Sequence, residues 1–225
     1  MILLAIDSSA SLCAACVYDA ASSEELGREV LDLGKGHAEH LMGVIAGALE
    51  RAGKDYADIG ALAVSVGPGS FTGVRVGVSA VRGLALALKV PAIGVTTLEA
   101  LAAEGARAFP DRAVLAALDA GRGEIHAALY DSRSQLRYGP AVATLEQAVA
   151  MAVETSPVLA GTAAALIADA AGKAFDTGPD AATADIATYA RLAAAKGAGA
   201  KPKPLYLRAA DAKPQAGFVL PRVAP

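Results

Sequence analysis

The chain switches between runs of buried-type residues and helical spacing, and the switches mark its elements. Ile2 to Ile6 is a continuous apolar run that stops at Asp7, and Leu12 to Tyr18 is a second one beyond the polar Ser8-Ser9-Ala10-Ser11. Runs of that length bounded by turn residues predict buried strands. Leu26 to Leu33 can form a third. From His37 onward, Leu41, Val44, Ile45, Ala48, Leu49 and Ala52 recur three and four apart, which predicts a helix over 37–52 with Gly53 as its stop. Ala61 to Val66 reads as a further strand, then come a turn, a helix over 74–88 and a short strand at Ala92 to Val95. Beyond that the pattern weakens. It predicts strands at 113–119 and 124–130, helices at 144–153, 162–172 and 183–196, and a short strand at Val158 to Gly161. From Asp211 the chain carries Pro214, Pro221 and Pro225 and reads as a mobile tail.

The opening hairpin occurs twice. Residues 2–19 placed over 114–131, an ungapped offset of 112, align Leu3 with Leu115, Ala5 with Ala117, Asp7 with Asp119, Ala15 with Ala127, Tyr18 with Tyr130 and Asp19 with Asp131. Alanine identities carry little weight in an Ala-rich chain. The spacing of the aspartates and the shared Tyr-Asp ending carry more. The offset is about half the chain length, so the simplest account is two similar α/β halves joined near residues 103–112.

Gly67-Pro68-Gly69-Ser70-Phe71-Thr72-Gly73 lies between a buried strand and a helix, a position where backbone N–H groups can bind an anion. It lacks the lysine of a P-loop and spaces its glycines as G-x-G-x-x-x-G, so a tight structural turn is the alternative. The helix that follows carries Val74, Val76, Val78, Val81, Leu84, Leu86 and Leu88 around most of its circumference. Such a helix needs cover on more than one side. One side can pack on the sheet. The others call for the 37–52 helix and another subunit, or else for the protein's own second half. Gly73, Gly77 and Gly83 weaken the helix, and the expected compensation is close approach by another helix.

Composition narrows the chemistry. The 225 residues are 54% apolar but only 4% aromatic, with no Trp, so the core is built from small aliphatic side chains. Net charge is −3, which argues against gripping a nucleic acid unaided. Lys196, Lys201, Lys203 and Arg208 form the one basic concentration. The first residues have no basic segment before the apolar run, and no uncharged apolar stretch is long enough to span a membrane, so a cytoplasmic location with no membrane contact is expected. Cys13 and Cys16 are three apart on a strand and therefore face opposite ways, which makes them buried thiols and not a metal or redox pair. His37, His40 and His126 are the only histidines, and there is no HExxH. No metal site and no catalytic residue are expected.

Several segments together resemble the TsaB (YeaZ) family along essentially the whole chain: ILLAIDSS at 2–9, HAEHLM at 37–42 with Ala38 where the family favours Ser, GPGSFTGVRVG at 67–77, GVTTLEALA at 94–102, ALDAGRGEIHAALYD at 117–131 and PLYLR at 204–208. The resemblance implies the actin-like ATPase, sugar kinase and Hsp70-type (ASKHA) α/β fold of two duplicated halves. Residues 1–104 would form the first, with the glycine turn and dimerisation helices. Residues 105–225 would form the second, with a C-terminal helix able to pack back on the first. It also implies a non-catalytic subunit needed for N6-threonylcarbamoyladenosine in tRNA. That subunit would pair with a TsaD-type catalytic paralogue, join a TsaE-type ATPase, and meet tRNA only through the complex. Thr97 and Leu101 stand where the paralogue carries its metal-binding histidines.

The residues expected to meet a partner, chosen by helical spacing, are His37, Leu41, Met42, Ile45, Val74, Val78, Val81 and Arg82. Without a partner the same surface would form a homodimer, and Val78→Glu should dissociate it with the fold intact. Relatives of this fold hold phosphate on an Asp-x-Gly turn in each half. Here Asp7-Ser8-Ser9 lacks the glycine and Asp119-Ala120-Gly121 keeps it. The candidates for a nucleotide or anion turn are thus Asp7, Ser8, Gly67, Gly69, Ser70, Thr72, Asp119 and Gly121. A kinase-like phosphotransferase is the alternative reading, and a metallohydrolase a more distant one. No cofactor is expected on the chain alone, and ATP or ADP at the complex interface stays open.

Overall fold

Each opening hairpin is extended on both sides in the same way. In the computed structural model, which describes residues 1–208, β1 (Ile2–Asp7) pairs antiparallel with β2 (Leu12–Asp19), and β2 with β3 (Glu24–Asp32). Parallel strands β4 (Ile59–Ser65) and β5 (Ala92–Val95) continue from the other side of β1, giving the order β3-β2-β1-β4-β5. The second sheet repeats this path with β6 (Val114–Asp119), β7 (Glu124–Tyr130), β8 (Leu136–Thr144) and β9 (Val158–Ala160), in the order β8-β7-β6-β9. The fold is α/β with the duplicated actin-like (ASKHA) architecture. The repeat is one residue out of register: Ile2 faces Asp19, whereas Val114 faces Tyr130. The tighter second turn, closed by Glu124 N–H donating to Gly121 O, accounts for the difference. The tail from Asp211 lies outside the described residues.

Side chains alternate across the strands, so each sheet has two apolar faces. Leu4, Ile6 and Val64 meet α1 (His37–Ala52) and α2 (Phe71–Leu88) on the outer face of the first sheet. Leu3, Ala5 and Ala63 meet α3 (Thr97–Ala108) and α6 (Ile186–Lys196) on the inner face. Residues Val114, Ala116 and Val158 of the second sheet close the same inner core from the other side. Helices α4 (Leu145–Thr155) and α5 (Ala164–Ala171) cover that sheet's outer face. Five layers result, helix–sheet–helix–sheet–helix. The division between residues 104 and 105 falls within α3, and α6 packs on β1 and β2. Cys13 and Cys16 are buried in the outer and inner cores respectively. Burial, then the charge of Asp7, raises the Cys13 thiol to about 11, and burial above all raises Cys16, so both stay protonated.

Helix α2 starts at Phe71, three residues before its apolar pattern begins. Ser70 caps it by accepting from Gly73 N–H at 3.2 Å. Its 18 residues are long and apolar enough to match a membrane span by composition, yet it carries Arg75 and Arg82 and packs against β4 and β1. The two N-terminal glycines do not face another helix. A Cβ on Gly73 would overlap the Ser8 carbonyl oxygen, and one on Gly77 would stand 2.7 Å from Ser8 Oγ. Around Gly83 there is open space.

Helix α6 is latched to the first sheet at its start. Arg28 Nη1 donates to Asp185 Oδ2 at 2.7 Å, Asp185 Oδ1 caps Ala187 N–H, and Glu104 Oε1 accepts from Asp185 N–H and Thr188 Oγ1, both at 2.8 Å. Burial alone would raise the Asp185 carboxyl, but the Arg28 and Ala187 hydrogen bonds outweigh it and hold the group below its usual range.

Two outcomes follow from these contacts. Gly73→Ala, forced against the Ser8 carbonyl, should lose roughly 1–3 kcal/mol, while Gly83→Ala should gain about 0.5–1 kcal/mol; denaturant midpoints compare them, and equal effects would contradict the seat of Ser8. A depressed carboxyl contributes stability above its unfolded value of about 3.9 that is lost as pH falls through the folded value. Arg28→Ala should therefore be less stable than the parent at pH 7, with the gap closing below about pH 4, as read by unfolding at successive pH values.

Candidate functional site

Two amides of the glycine turn, those of Ser70 and Gly73, are already occupied. Ser70 N–H donates to Ser9 O at 2.7 Å, Gly73 N–H to Ser70 Oγ, and Ser8 Oγ to Gly73 O at 2.9 Å. A Cβ on Gly69 would overlap the Ser9 carbonyl oxygen. The β1–β2 turn thus packs directly against the glycine turn. Gly67, at φ 90°, accepts from Thr97 N–H through its carbonyl and ties the turn to α3.

Asp7 is sealed beneath this joint at 1% exposure. Its Oδ1 accepts from Ser9 N–H at 2.9 Å and its Oδ2 from Thr183 Oγ1 at 2.6 Å. A hydroxyl has one proton, so with that proton on Asp7 Thr183 accepts from Tyr189 OH, 2.7 Å away. Burial first, and the Asp7 charge second, push the Tyr189 phenol far above its ordinary value, keeping it a donor. Nearby Ser65 Oγ lies 3.3 Å from Thr97 Oγ1. Thr183 precedes α6 and Tyr189 lies within it, so the carboxylate that opens the first turn anchors the returning helix.

The second turn is open. Asp119 is exposed, its Oδ1 accepts from Gly121 N–H at 2.7 Å, and its own N–H donates to Thr162 Oγ1. Arg208 donates to Ala120 O and Gly121 O at 2.9 and 3.0 Å and pairs with Glu124. Between the two turns runs a cleft of about 1070 Å³. Gly69, Ser70 and Asp119 belong to its wall; Asp7, Ser8, Gly67, Thr72 and Gly121 do not. The candidates are therefore split, with Asp7 and Ser8 buried and Gly69, Ser70 and Asp119 facing the cleft.

Thr97 and Leu101 are both fully buried, Thr97 held by Ser65 and Leu101 in the inner core. His37 is buried with Nε2 3.2 Å from Leu12 O, His40 is exposed on α1, and His126 lines the cleft. Among the described residues no three His, Cys, Asp or Glu side chains are grouped to hold a metal. Of the basic residues near the end, Lys196 pairs with Glu99 at 2.6 Å and Arg208 with Glu124, while Lys201 and Lys203 are exposed.

The partner-facing residues chosen by spacing need correction. Leu41, Ile45, Val74, Val78 and Val81 are between 0% and 4% exposed and form the first sheet's outer core, and His37 is buried beside them. The most regular spacing marks the side that the sheet claims. Val78→Glu would accordingly put a charge in the core and unfold the chain, not separate intact subunits. Met42, 49% exposed, and Arg82 do face outward. The most exposed large apolar side chain on the two helices is Leu86, 82% exposed on α2, where Gly83 and Ala87 are also exposed, as is Ala46 on α1. Giving positions 74, 78 and 81 to the sheet leaves Val76, Leu84, Leu86 and Leu88, and only the structure singles out Leu86 among them.

The chain's relatives agree with this architecture. The family model described as TsaD: tRNA N6-adenosine threonylcarbamoyltransferase matches residues 32–205. The tRNA threonylcarbamoyladenosine biosynthesis protein TsaB of Escherichia coli K12 is 37% identical over 134 residues, 58% of this chain and 55% of that protein. An alignment of this kind spans about half the length of the curated TsaB relatives. An uncharacterised Mycobacterium tuberculosis H37Rv protein is 33% identical over 220 residues, 95% of each chain. Among solved structures, YeaZ from Pseudomonas aeruginosa superposes with a TM-score of 0.76 at 28% identity, over 92% of this chain and 99% of that one. With most of its length inside the family model and the same fold as YeaZ, the chain belongs to the TsaB (YeaZ) branch of the TsaD family.

Proposed function

We propose that this chain is the non-catalytic dimerisation subunit of a cytoplasmic complex that makes N6-threonylcarbamoyladenosine in tRNA. The observation that carries the reading is the outer face of α1 and α2. Leu86 at 82% and Met42 at 49% exposure stand there among small residues. An apolar helix face flanked by Ala and Gly lets a second helix pair approach closely, and large exposed apolar patches are characteristic of protein interfaces. The partner is a TsaD-type paralogue, which supplies the catalytic groups. A TsaE-type ATPase joins the pair, and tRNA is met through the complex. ATP or ADP would be held between subunits, since Ser8 and Ser9 already fill the phosphate position on this chain. The same occupancy weighs against a kinase-like phosphotransferase. Without its paralogue the chain forms a homodimer through the α1–α2 face.

Leu86→Glu tests the surface without touching the core. A charge at the centre of an apolar interface should weaken association by roughly 2–5 kcal/mol, at least about 30-fold, with circular dichroism unchanged. Light scattering should show a monomer, capture of the TsaD-type paralogue should fail, and the variant should not restore modified tRNA in cells lacking the chain. A Leu86→Glu protein that stays dimeric and still captures the paralogue would exclude this face. Normal tRNA modification in cells without the chain would exclude the function itself.

A further inference from the structure

Among the described residues only two aromatic rings are exposed, and they touch each other. Phe71, 61% exposed at the start of α2, and Tyr206, 52% exposed, set their rings 5.4 Å apart at 40°. Arg75, one turn further along α2, lays its guanidinium over the Phe71 ring at 4.8 Å and is itself exposed. The other described Phe and Tyr side chains are buried or half-buried. Three flat groups are thus gathered in water, outside every core of the molecule.

Tyr206 belongs to a strap that crosses from one half to the other. Pro202 is buried beside Gly94, and Leu205 N–H donates to Val66 O at 2.8 Å in the first half. Arg208 donates to Ala120 O and Gly121 O in the second. With both ends fixed, the ring of Tyr206 is held in place. The exposed positions of the strap are Lys201, Lys203 and Tyr206. Five residues of extended chain span at most about 18 Å, so the lysines lie close to the rings. Arg75, Lys201 and Lys203 have no ion pair among the described residues, whereas Lys196 and Arg208 are each matched by a glutamate.

The combination decides the partner. Exposed rings set among cations that lack carboxylates suit a polyanion carrying flat groups, which describes unpaired nucleotides. Bases stack on aromatic faces and on guanidinium planes, while phosphates meet ammonium groups. A base-paired helix hides the faces of its bases and gains nothing from the rings. An acidic protein surface would match the cations and leave the rings without a flat partner. Asp119, on the second half's side of the cleft, repels phosphate and confines a bound strand to the strap. Three cations release few counterions, and the chain carries a net charge of −3, so the contact serves a larger assembly and does not hold a nucleic acid unaided.

We propose that the strap and the start of α2 hold an unpaired stretch of RNA, with a base stacked on Phe71 and Tyr206 and adjoining phosphates on Arg75, Lys201 and Lys203. The inference rests on the role in tRNA modification proposed above, but not on the α1–α2 face.

Ultraviolet crosslinking in growing cells that carry the tagged full chain tests it, since the method needs no prior choice of partner. The parent should yield crosslinked transfer RNA. Tyr206→Ala should lower the yield by about 5–100-fold, and Tyr206→Phe should keep it. Lys201→Ala combined with Lys203→Ala should lower it to the same degree for every RNA recovered. All three positions are exposed, so protein levels and circular dichroism should match the parent. An absence of crosslinked RNA from the parent would overturn the proposal, as would equal yields from the parent and Tyr206→Ala. So would a Tyr206→Ala chain that loses a co-purifying protein while its RNA yield holds, which would assign the patch to a protein. The role itself is read separately, from modified tRNA in cells that lack the chain.

Discussion

The seat of Ser8 and Ser9 against the start of α2 is the contact on which the rest of the molecule depends. It requires glycine at 69, 73 and 77, because any side chain there meets the β1–β2 turn. It takes up the Ser70 amide and the Gly73 carbonyl. It also fixes the angle at which α2 leaves the sheet, so that Val74, Val78 and Val81 point inward and Leu86 points out. The Ser70 amide, one of the groups an anion at this turn would use, is taken up by helix seating.

Asp7 shows the same exchange of roles. A carboxylate buried to 1% exposure is stable only with hydrogen bonds in place of water. Ser9 supplies one from the adjacent turn, and Thr183 supplies another from 176 residues away. Tyr189 and the Arg28–Asp185 pair extend the attachment along α6. The helix that follows the second sheet is thereby bound to the first, and the inner core is shared by both. Opening the two halves would expose that core and strand Asp7 together, so the joint holds the halves against each other.

Much of the fold was legible in the sequence because it is local. The α1 boundaries, the hairpin repeat and the parallel strands β4 and β5 follow from spacing and turn residues over short windows. Strand β8 was missed because Gly139-Pro140 interrupts it and no clean alternation marks it; its signal is the pairing of Ala127 with Ala141, which exists only in the sheet. The start of α2 was placed late because apolar spacing was followed, where Ser70 and Gly73 form the cap. Asp7 and Ser8 are candidates for an anion turn by sequence, and the fold buries both. Nothing near Asp7 in sequence announces Thr183 or Tyr189. The outward side of α1 and α2 was the least legible of all. Periodicity finds the side of a helix that must be covered, and in α1 and α2 the nearest cover is their own sheet.

That last point explains why an interface helix can look like a core helix. Burying one valine or leucine side chain contributes roughly 1.5–3 kcal/mol, so the strongest apolar stripe goes to the contact that forms first and stays, which is intramolecular. A docking face must be weaker than that stripe, or the monomer would aggregate before meeting its partner. Small residues with a few large ones meet the requirement: Ala46, Gly83 and Ala87 expose little apolar area singly, while in the proposed docking Met42 and Leu86 would supply the anchors. Arg82 on the same helix keeps the unpaired face solvated and adds a charge that a partner must match. On the proposed docking role, specificity would reside in the residues that the hydrophobic pattern ranks lowest, with the first sheet behind them holding the two helices in place.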